Sequence, residues 1–325
     1  MLNRYEKAIR WIRSNLGEII ASQRIYSGIN SDVWRIEGKD FCISLKLYKI
    51  YNQKHYKYKR EIDFINFLNK YQIKSVPKII AHDDKNNYAI YQWIFGSNPE
   101  KIDDRMIDEI AIFLSSLKNI EGFADENGIS NASEACLTSN DFAKHIDNRI
   151  RNIQNKAQNN NRIKTLYKQS IEEEVINYEK NIRKCLLTNK IKDFIIKPGR
   201  FLTQSDMGIH NIIIGSDGCC YFVDFEHSGW DSIIKTAADL ILQPNHKYSS
   251  ILAKNVIKTM SSYFSIDYNI SDDWSYILKA QRLKWSLIML NPLMNEDNLI
   301  SEEFERKLII KIQNYLYSTR EIIVN

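Results

Sequence analysis

Between Arg200 and Asp231 the chain reads RFLTQSDMGIHNIIIGSDGCCYFVDFEHSGWD, and three side chains in it stand at spacings that packing alone does not require. The apolar Phe201-Leu202-Thr203 reads as a strand end, so Ser205-Asp206-Met207-Gly208 is a loop that exposes Asp206. Asn211 opens a second apolar run, Ile212 to Ile214, which is followed by Asp217-Gly218, the favoured centre of a two-residue hairpin turn, and by Tyr221-Phe222-Val223. Such a hairpin folds Asp224 back beside Asn211. One amide and one carboxylate at that distance offer hard oxygen ligands suited to Mg²⁺. Asp206 faces the same place without needing to touch the metal, which leaves it able to orient a substrate hydroxyl and accept its proton.

The segments before this stretch supply a matching cation. The first residues, MLNRYEKAIRWIRSNLG, form an amphipathic helix in place of a targeting segment. Gln23–Tyr26, Asp32–Ile36 and Phe41–Tyr48 alternate like the strands of an antiparallel meander, and Pro77–Ala81 with Tyr88–Ile94 complete five strands. Lys46 lies inside an apolar strand, where an ammonium needs a partner, and Glu61 on the helix from about Gln53 to Tyr71 is the candidate. The turn Ser27-Gly28-Ile29-Asn30-Ser31 is either a plain hairpin or a small-residue turn whose amides and serines can approach phosphate. Lys54, Lys57, Lys59 and Arg60 read as a solvated helix face, since no nucleic-acid module accompanies them. Beyond Gly96 the pattern turns helical from Lys101. A polar loop follows from Glu121 to Asn140, then helices over 141–158 and 170–190, the second opened by a capping box at Ser170 and joined to the first by an Asn-rich linker. Three further helices fall near 249–264, 273–291 and 301–319. Trp274, Tyr276 and Trp285 among them fit core packing better than an aromatic box for a quaternary ammonium.

Asp206, Asn211 at plus five and Asp224 thirteen residues later resemble the catalytic loop and metal-binding residues of the protein-kinase-like superfamily. Asp224-Phe225-Glu226, and Gly208 in place of a lysine, are similar to the aminoglycoside phosphotransferase and choline kinase branch. Gln204-Ser205 departs from the His-Gly usual before the aspartate. The resemblance implies an α+β, two-lobed kinase-like fold with an N-terminal lobe over 1–95 and a mainly helical lobe over 96–325 that carries a helical insertion at about 141–195. It implies ATP or GTP and Mg²⁺ as cofactors, with Asp206 as base, Asn211 and Asp224 on the metal, and Lys46, held by Glu61, on the phosphates. Ser27, Gly28 and Ser31 would cover the phosphates. Trp93, in the hinge from about Gln92 to Gly96, would adjoin an adenine lying between Ile36 and Ile43. Asp239 resembles a structural aspartate that braces the catalytic loop.

Composition narrows the setting. A chain of 325 residues that is 44% apolar and 26% charged reads as globular, and no apolar run approaches the length, about 20 residues, that spans a bilayer. Five cysteines without metal-ligand spacing fit a reduced, cytoplasmic compartment. Residues 1–95 hold 17 basic against 9 acidic side chains, whereas 141–200 is net +7, a balance that argues against a polycationic acceptor. The expected function is phosphoryl transfer to a hydroxyl of a small-molecule acceptor, with no nucleic-acid or membrane partner. Two alternatives stay open: a kinase of a protein or glycan intermediate, and a nucleotide-binding pseudokinase that serves as an interaction module.

Overall fold

The computed structural model describes residues 3–28, 30–49, 56–244, 246, 249–266, 272–294 and 301–320. The chain divides into two compact units, the first comprising Met1–Glu100, Ser116–Ser133 and Leu202–Trp230, the second Lys101–Ser115, Glu134–Phe201 and Asp231–Asn325.

The first unit begins with helix α1 (Arg4–Asn15), whose start is fixed by a capping box in which Asn3 and Glu6 satisfy each other's backbone amides. An antiparallel sheet follows, β1 (Ile19–Ser27), β2 (Ser31–Gly38), β3 (Cys42–Tyr48), β4 (Ile79–Asp83) and β5 (Tyr88–Gln92), in the order β1-β2-β3-β5-β4. Helix α2 (Tyr56–Lys70) connects β3 to β4, and the expected residues Gln53, Lys54 and His55 at its start lie outside the described residues.

The register separates the two faces of this sheet. Trp34 opposes Leu45, Ile36 opposes Ile43, and Leu45 opposes Ile90, so these side chains share one face. There Ile36, Ile43, Leu45, Leu47, Tyr88 and Ile90 form a core with Ala8 and Ile12 of α1. Each fully buried isoleucine contributes about 1.5–3 kcal/mol. Lys46 opposes Val33 and Ala89 and belongs to the other face. The placement of adenine between Ile36 and Ile43 is therefore corrected: with a period of two, both point to α1, away from the side that carries Lys46.

A small sheet, β6 (Gly96–Ser97), β8 (Ile212–Gly215) and β9 (Cys220–Phe222), also lies in this unit, and β7 (Arg200–Thr203) precedes β8 in the chain. The β8–β9 hairpin forms as expected, but its connection has three residues. Gly215 N bonds Cys219 O at 2.8 Å and Gly218 takes φ +79°, the left-handed position that closes a three-residue loop. A Cβ on Gly96 would lie 2.1 Å from the Ile214 carbonyl oxygen, so the β6–β8 approach requires glycine there.

The second unit is helical in its regular structure apart from strand ends. Helix α3 (Asp104–Ile120) passes through both units. Helices α4 (Ser139–Asn159), α5 (Asn161–Ser170), α6 (Glu172–Asn177), α7 (Arg183–Leu186) and α8 (Asn189–Ile196) follow in this unit. Two expectations change here. The Asn-rich stretch does not form a linker, because Asn160 accepts from the amides of Arg162 and Ile163 and caps α5. Ser170 caps nothing, since its hydroxyl donates back to Leu166 O and α6 starts without a side-chain cap. Strand β10 (Gly229–Ser232) then leads to α9 (Ile233–Leu242), followed by α10 (Ser250–Phe264), α11 (Asp272–Met289) and α12 (Glu302–Ser318). Among the described residues no helix is long and apolar enough to cross a membrane.

Asp239, all of whose α9 neighbours are buried, takes its partners from α9 and α11. Lys284 lies at 2.7 Å, Trp285 Nε1 at 2.9 Å, Gln281 Nε2 at 3.2 Å and Lys235 at 3.2 Å. Through these groups Asp239 ties α9 to α11. Lys235 also meets Asp231 at 2.8 Å, and Asp231 accepts from the Cys136 amide. Trp274 is buried against Phe194, so Trp274 and Trp285 serve packing and this network.

Candidate active site

Lys46 leaves β3 on the face opposite α1 and meets two carboxylates, Glu61 Oε2 and Asp224 Oδ1, each at 2.7 Å. The ammonium is 7% exposed and Glu61 3%, while Asp224 remains 38% exposed. Burial works to neutralise Lys46, but Asp224, Glu61 and Glu226 outweigh it and raise its pKa. Burial pushes Glu61 up to about 7 against the opposing pull of Lys46, with the charges of Asp224 and Glu226 adding to the rise.

Helix α2 explains why these groups meet. Lys57, Glu61 and Phe64 recur on one helical face. Phe64 stacks on Phe225 with ring centroids 5.7 Å apart, burying Phe225 completely and anchoring the Asp224–Glu226 segment to α2. Asp224 itself takes φ +67°, a left-handed conformation that a non-glycine residue holds only under constraint.

The β8–β9 register brings Asn211 beside this segment: Ile212 opposes Phe222, and Val223 N donates to Asn211 O at 3.0 Å. Asn211 is buried, and its Nδ2 donates to Asp206 O at 3.1 Å, which turns the amide oxygen to other partners. Asp206 pairs with His210 at 3.4 Å and stays partly exposed. Burial would raise its pKa, yet the His210 hydrogen bond, the charges of His210 and His227, and the Gly208 amide reverse this and hold Asp206 below the usual carboxylate range. The same contact raises His210.

Gln204, which departs from the expected His-Gly, acquires a role. It is fully buried, and its Nε2 donates to the carbonyl oxygen of Val223 and lies 3.5 Å from that of Asp224. The amide thereby ties the loop that bears Asp206 to the segment that bears Asp224. Ser205 follows at φ +72°, so both strained non-glycine residues of this site flank that tie.

In the turn after β1, Ser27 Oγ donates to Asp32 at 2.6 Å, Gly28 N bonds Ser31 O, and Ser31 is buried. Ile29 lies outside the described residues. A Cβ on Gly28 would meet the Tyr26 ring at 2.3 Å, so the ring lies directly over the turn. Trp93 stacks with the Arg35 guanidinium, 5.1 Å from the ring centroid.

Three participants escaped the sequence. Glu226, buried, lies with Glu61 and Asp224 so that one carboxylate oxygen of each falls within 4.8 Å of the others. Asn30 Nδ2 donates to Glu226 Oε1 at 2.7 Å, linking the turn to the acidic cluster. Lys57 and His227 approach the same oxygen at 3.3 and 3.2 Å, so part of the expected solvated helix face holds this segment. Glu226 stood in the sequence beside Asp224, whereas Asn30 and Lys57 carried no local signal. Glu226 Oε2 is buried with no partner among the described residues. An orphaned carboxylate oxygen among acidic neighbours fits a divalent cation with oxygen ligands.

No family model matches the chain, and no curated protein matches it. Solved structures do. Choline kinase from Cryptosporidium parvum is 18% identical with a TM-score of 0.65, the match covering 98% of this chain and 96% of that one. Choline kinase LicA from Streptococcus pneumoniae is 14% identical with a TM-score of 0.61, covering 97% and 100%. An ADP-bound aminoglycoside phosphotransferase is 17% identical with a TM-score of 0.59, covering 98% of each. The chain shares the kinase-like α+β fold of these proteins over nearly its whole length.

Proposed function

We propose that this protein transfers the γ-phosphoryl group of ATP or GTP, with Mg²⁺, to a hydroxyl of a small molecule of the amino sugar, sugar or amino alcohol class. The observation that carries the reading is the joint contact of Lys46 with Glu61 and Asp224, placed by the β8–β9 register beside Asn211. The fold it shares with choline kinases and an ADP-bound phosphotransferase supports the same reading.

In this proposal Asp224 and Asn211 hold the metal, and Glu226 adds its free oxygen to the set. The bound Mg²⁺ would neutralise charge on the transferring phosphoryl group. Lys46 would neutralise the phosphates, with Glu61 fixing its position. Asp206, kept ionised by His210 and His227, orients the acceptor hydroxyl and takes its proton as the bond to phosphorus forms. The turn Ser27–Ser31 would lie over the phosphates, the Ser27 hydroxyl and Gly28 amide exchanging Asp32 and Ser31 O for phosphate oxygens beside the buried Ser31, and Trp93 would offer a ring to the base.

The test is ADP release with purified protein and Mg-ATP across amino sugars, choline-like amines, sugars and nucleosides. An acceptor-dependent signal that Asp206→Ala abolishes supports the proposal. Full turnover by Asp206→Ala with the identified acceptor refutes it.

A further inference from the structure

Helix α2 presents four side chains, at i, i+3, i+4 and i+7, to the short segment that follows β9. Lys57 reaches Glu226, Glu61 shares Lys46 with Asp224, and Phe64 stacks on Phe225. The fourth is Arg60. Its Nη1 lies 2.8 Å from the Ser228 carbonyl oxygen and 3.1 Å from Ser130 Oγ, and it donates also to the Asn131 carbonyl.

These acceptors belong to two chain segments that run together. Trp230 N donates to Ser130 O at 3.1 Å, Ala132 N to Trp230 O at 2.9 Å, and Ser133 N to His227 O at 3.1 Å. A Cβ on Gly229 would stand 2.3 Å from Ser130 O, so the contact is as close as glycine permits. Asp224, at the head of the segment that follows β9, takes φ +67°, which a non-glycine residue keeps only under outside constraint. Arg60 joins both segments to the helix that carries Glu61.

We propose that Arg60 is a positioning residue. By tying α2 to Ser228 and to Ser130–Asn131, it sets the spacing of Glu61, Asp224 and Glu226 and with it the metal-dependent part of nucleotide binding. The inference rests on the phosphotransferase reading of this site. All three contacts run through Nη1, whose two hydrogens lie fixed in the guanidinium plane, whereas a lysine ammonium is a flexible point donor. Arg60 touches none of the groups assigned to the phosphates. Its removal therefore acts on the metal-assisted gain in affinity and leaves metal-free nucleotide binding in place.

Binding of a fluorescent ATP analogue, with Mg²⁺ and with a chelator, tests this in the wild type, Arg60→Ala, Arg60→Lys and the control Lys59→Ala, each with its melting curve. Lys59 is 75% exposed and bridges Asp63. The expected result is a loss of about 10-fold or more of the Mg²⁺-dependent gain in Arg60→Ala, the scale seen when a supporting partner of a metal ligand is removed. Arg60→Lys recovers part of it, Lys59→Ala retains it, and the metal-free affinities stay within about twofold of one another. Amide exchange across 224–230 in metal-free protein also speeds up in Arg60→Ala. A full Mg²⁺-dependent gain in Arg60→Ala overturns the inference, as does an equal loss with and without metal. Should Arg60→Ala not fold, a full gain in Arg60→Lys overturns it. A wild type that binds no nucleotide in either condition refutes the phosphotransferase reading itself, and the inference falls with it.

Discussion

The two units each bury a cluster of charges, and the clusters are built to different rules. In the second unit Asp231 and Asp239 face Lys235 and Lys284, two acids against two bases, with every side chain at most 7% exposed. In the first unit Glu61, Asp224 and Glu226 face one buried ammonium, Lys46, and the partly exposed Lys57, with Asp224 open to solvent and one Glu226 oxygen unpartnered. Balanced and closed, the former is complete as it stands. The latter keeps an unpartnered Glu226 oxygen beside the partly exposed Asp224, an accessible oxygen set of the kind that a cation requires. Burial alone therefore does not distinguish the two clusters, whereas exposure and the partner of each oxygen do.

The largest effect that would test this contrast is on catalysis at the open cluster's neighbour. Asp206→Asn should lower kcat by about 10²–10⁴-fold, the range for loss of a general base, with little change in melting temperature. Next comes the closed cluster: Asp239→Asn leaves Lys284 and Lys235 short of a counter-charge and should cost about 3–5 kcal/mol by denaturant unfolding, a large share of a domain's total. Glu61→Gln in the open cluster should cost less than about 1 kcal/mol in metal-free protein, because burial already moves that carboxyl toward neutrality. A greater loss for Glu61→Gln than for Asp239→Asn would invert the comparison.

The smallest effect is in pH. Lys284 and Lys235 hold Asp239 below the usual carboxylate range despite its burial. A depressed folded pKa means that its contribution is present above the unfolded value, about 3.9, and is lost as pH falls through the folded one. Wild-type stability should decline through that acid window, and Asp239→Asn should decline less steeply, as urea midpoints across the range would read.

Much of the fold and site was legible because it depends on local pattern. Period-two alternation gave the five strands, the Asp217-Gly218 signal gave the hairpin, and the hairpin placed Asn211 beside Asp224. What failed was information that one strand does not carry. Ile36 and Ile43 look like any apolar strand residues until α1 claims their face of the sheet. Ser170-Ile171-Glu172-Glu173 satisfies the capping pattern, but its hydroxyl had a nearer carbonyl in α5. Lys57 and Arg60 read as solvated because their partners lie 70 to 169 positions away in sequence. Gln204 departs from the His-Gly expected before Asp206, and its side-chain amide ties the loop that bears Asp206 to the segment that bears Asp224.

The central claim, phosphoryl transfer at the open cluster, is tested most directly by ³¹P NMR of Mg-ATP incubated with the wild type and an acceptor pool of amino sugars and amino alcohols. The account predicts growth of ADP resonances together with a new phosphomonoester, absent with Asp206→Asn. Release of pyrophosphate in place of ADP, or an unchanged phosphomonoester yield with Asp206→Asn, would contradict it.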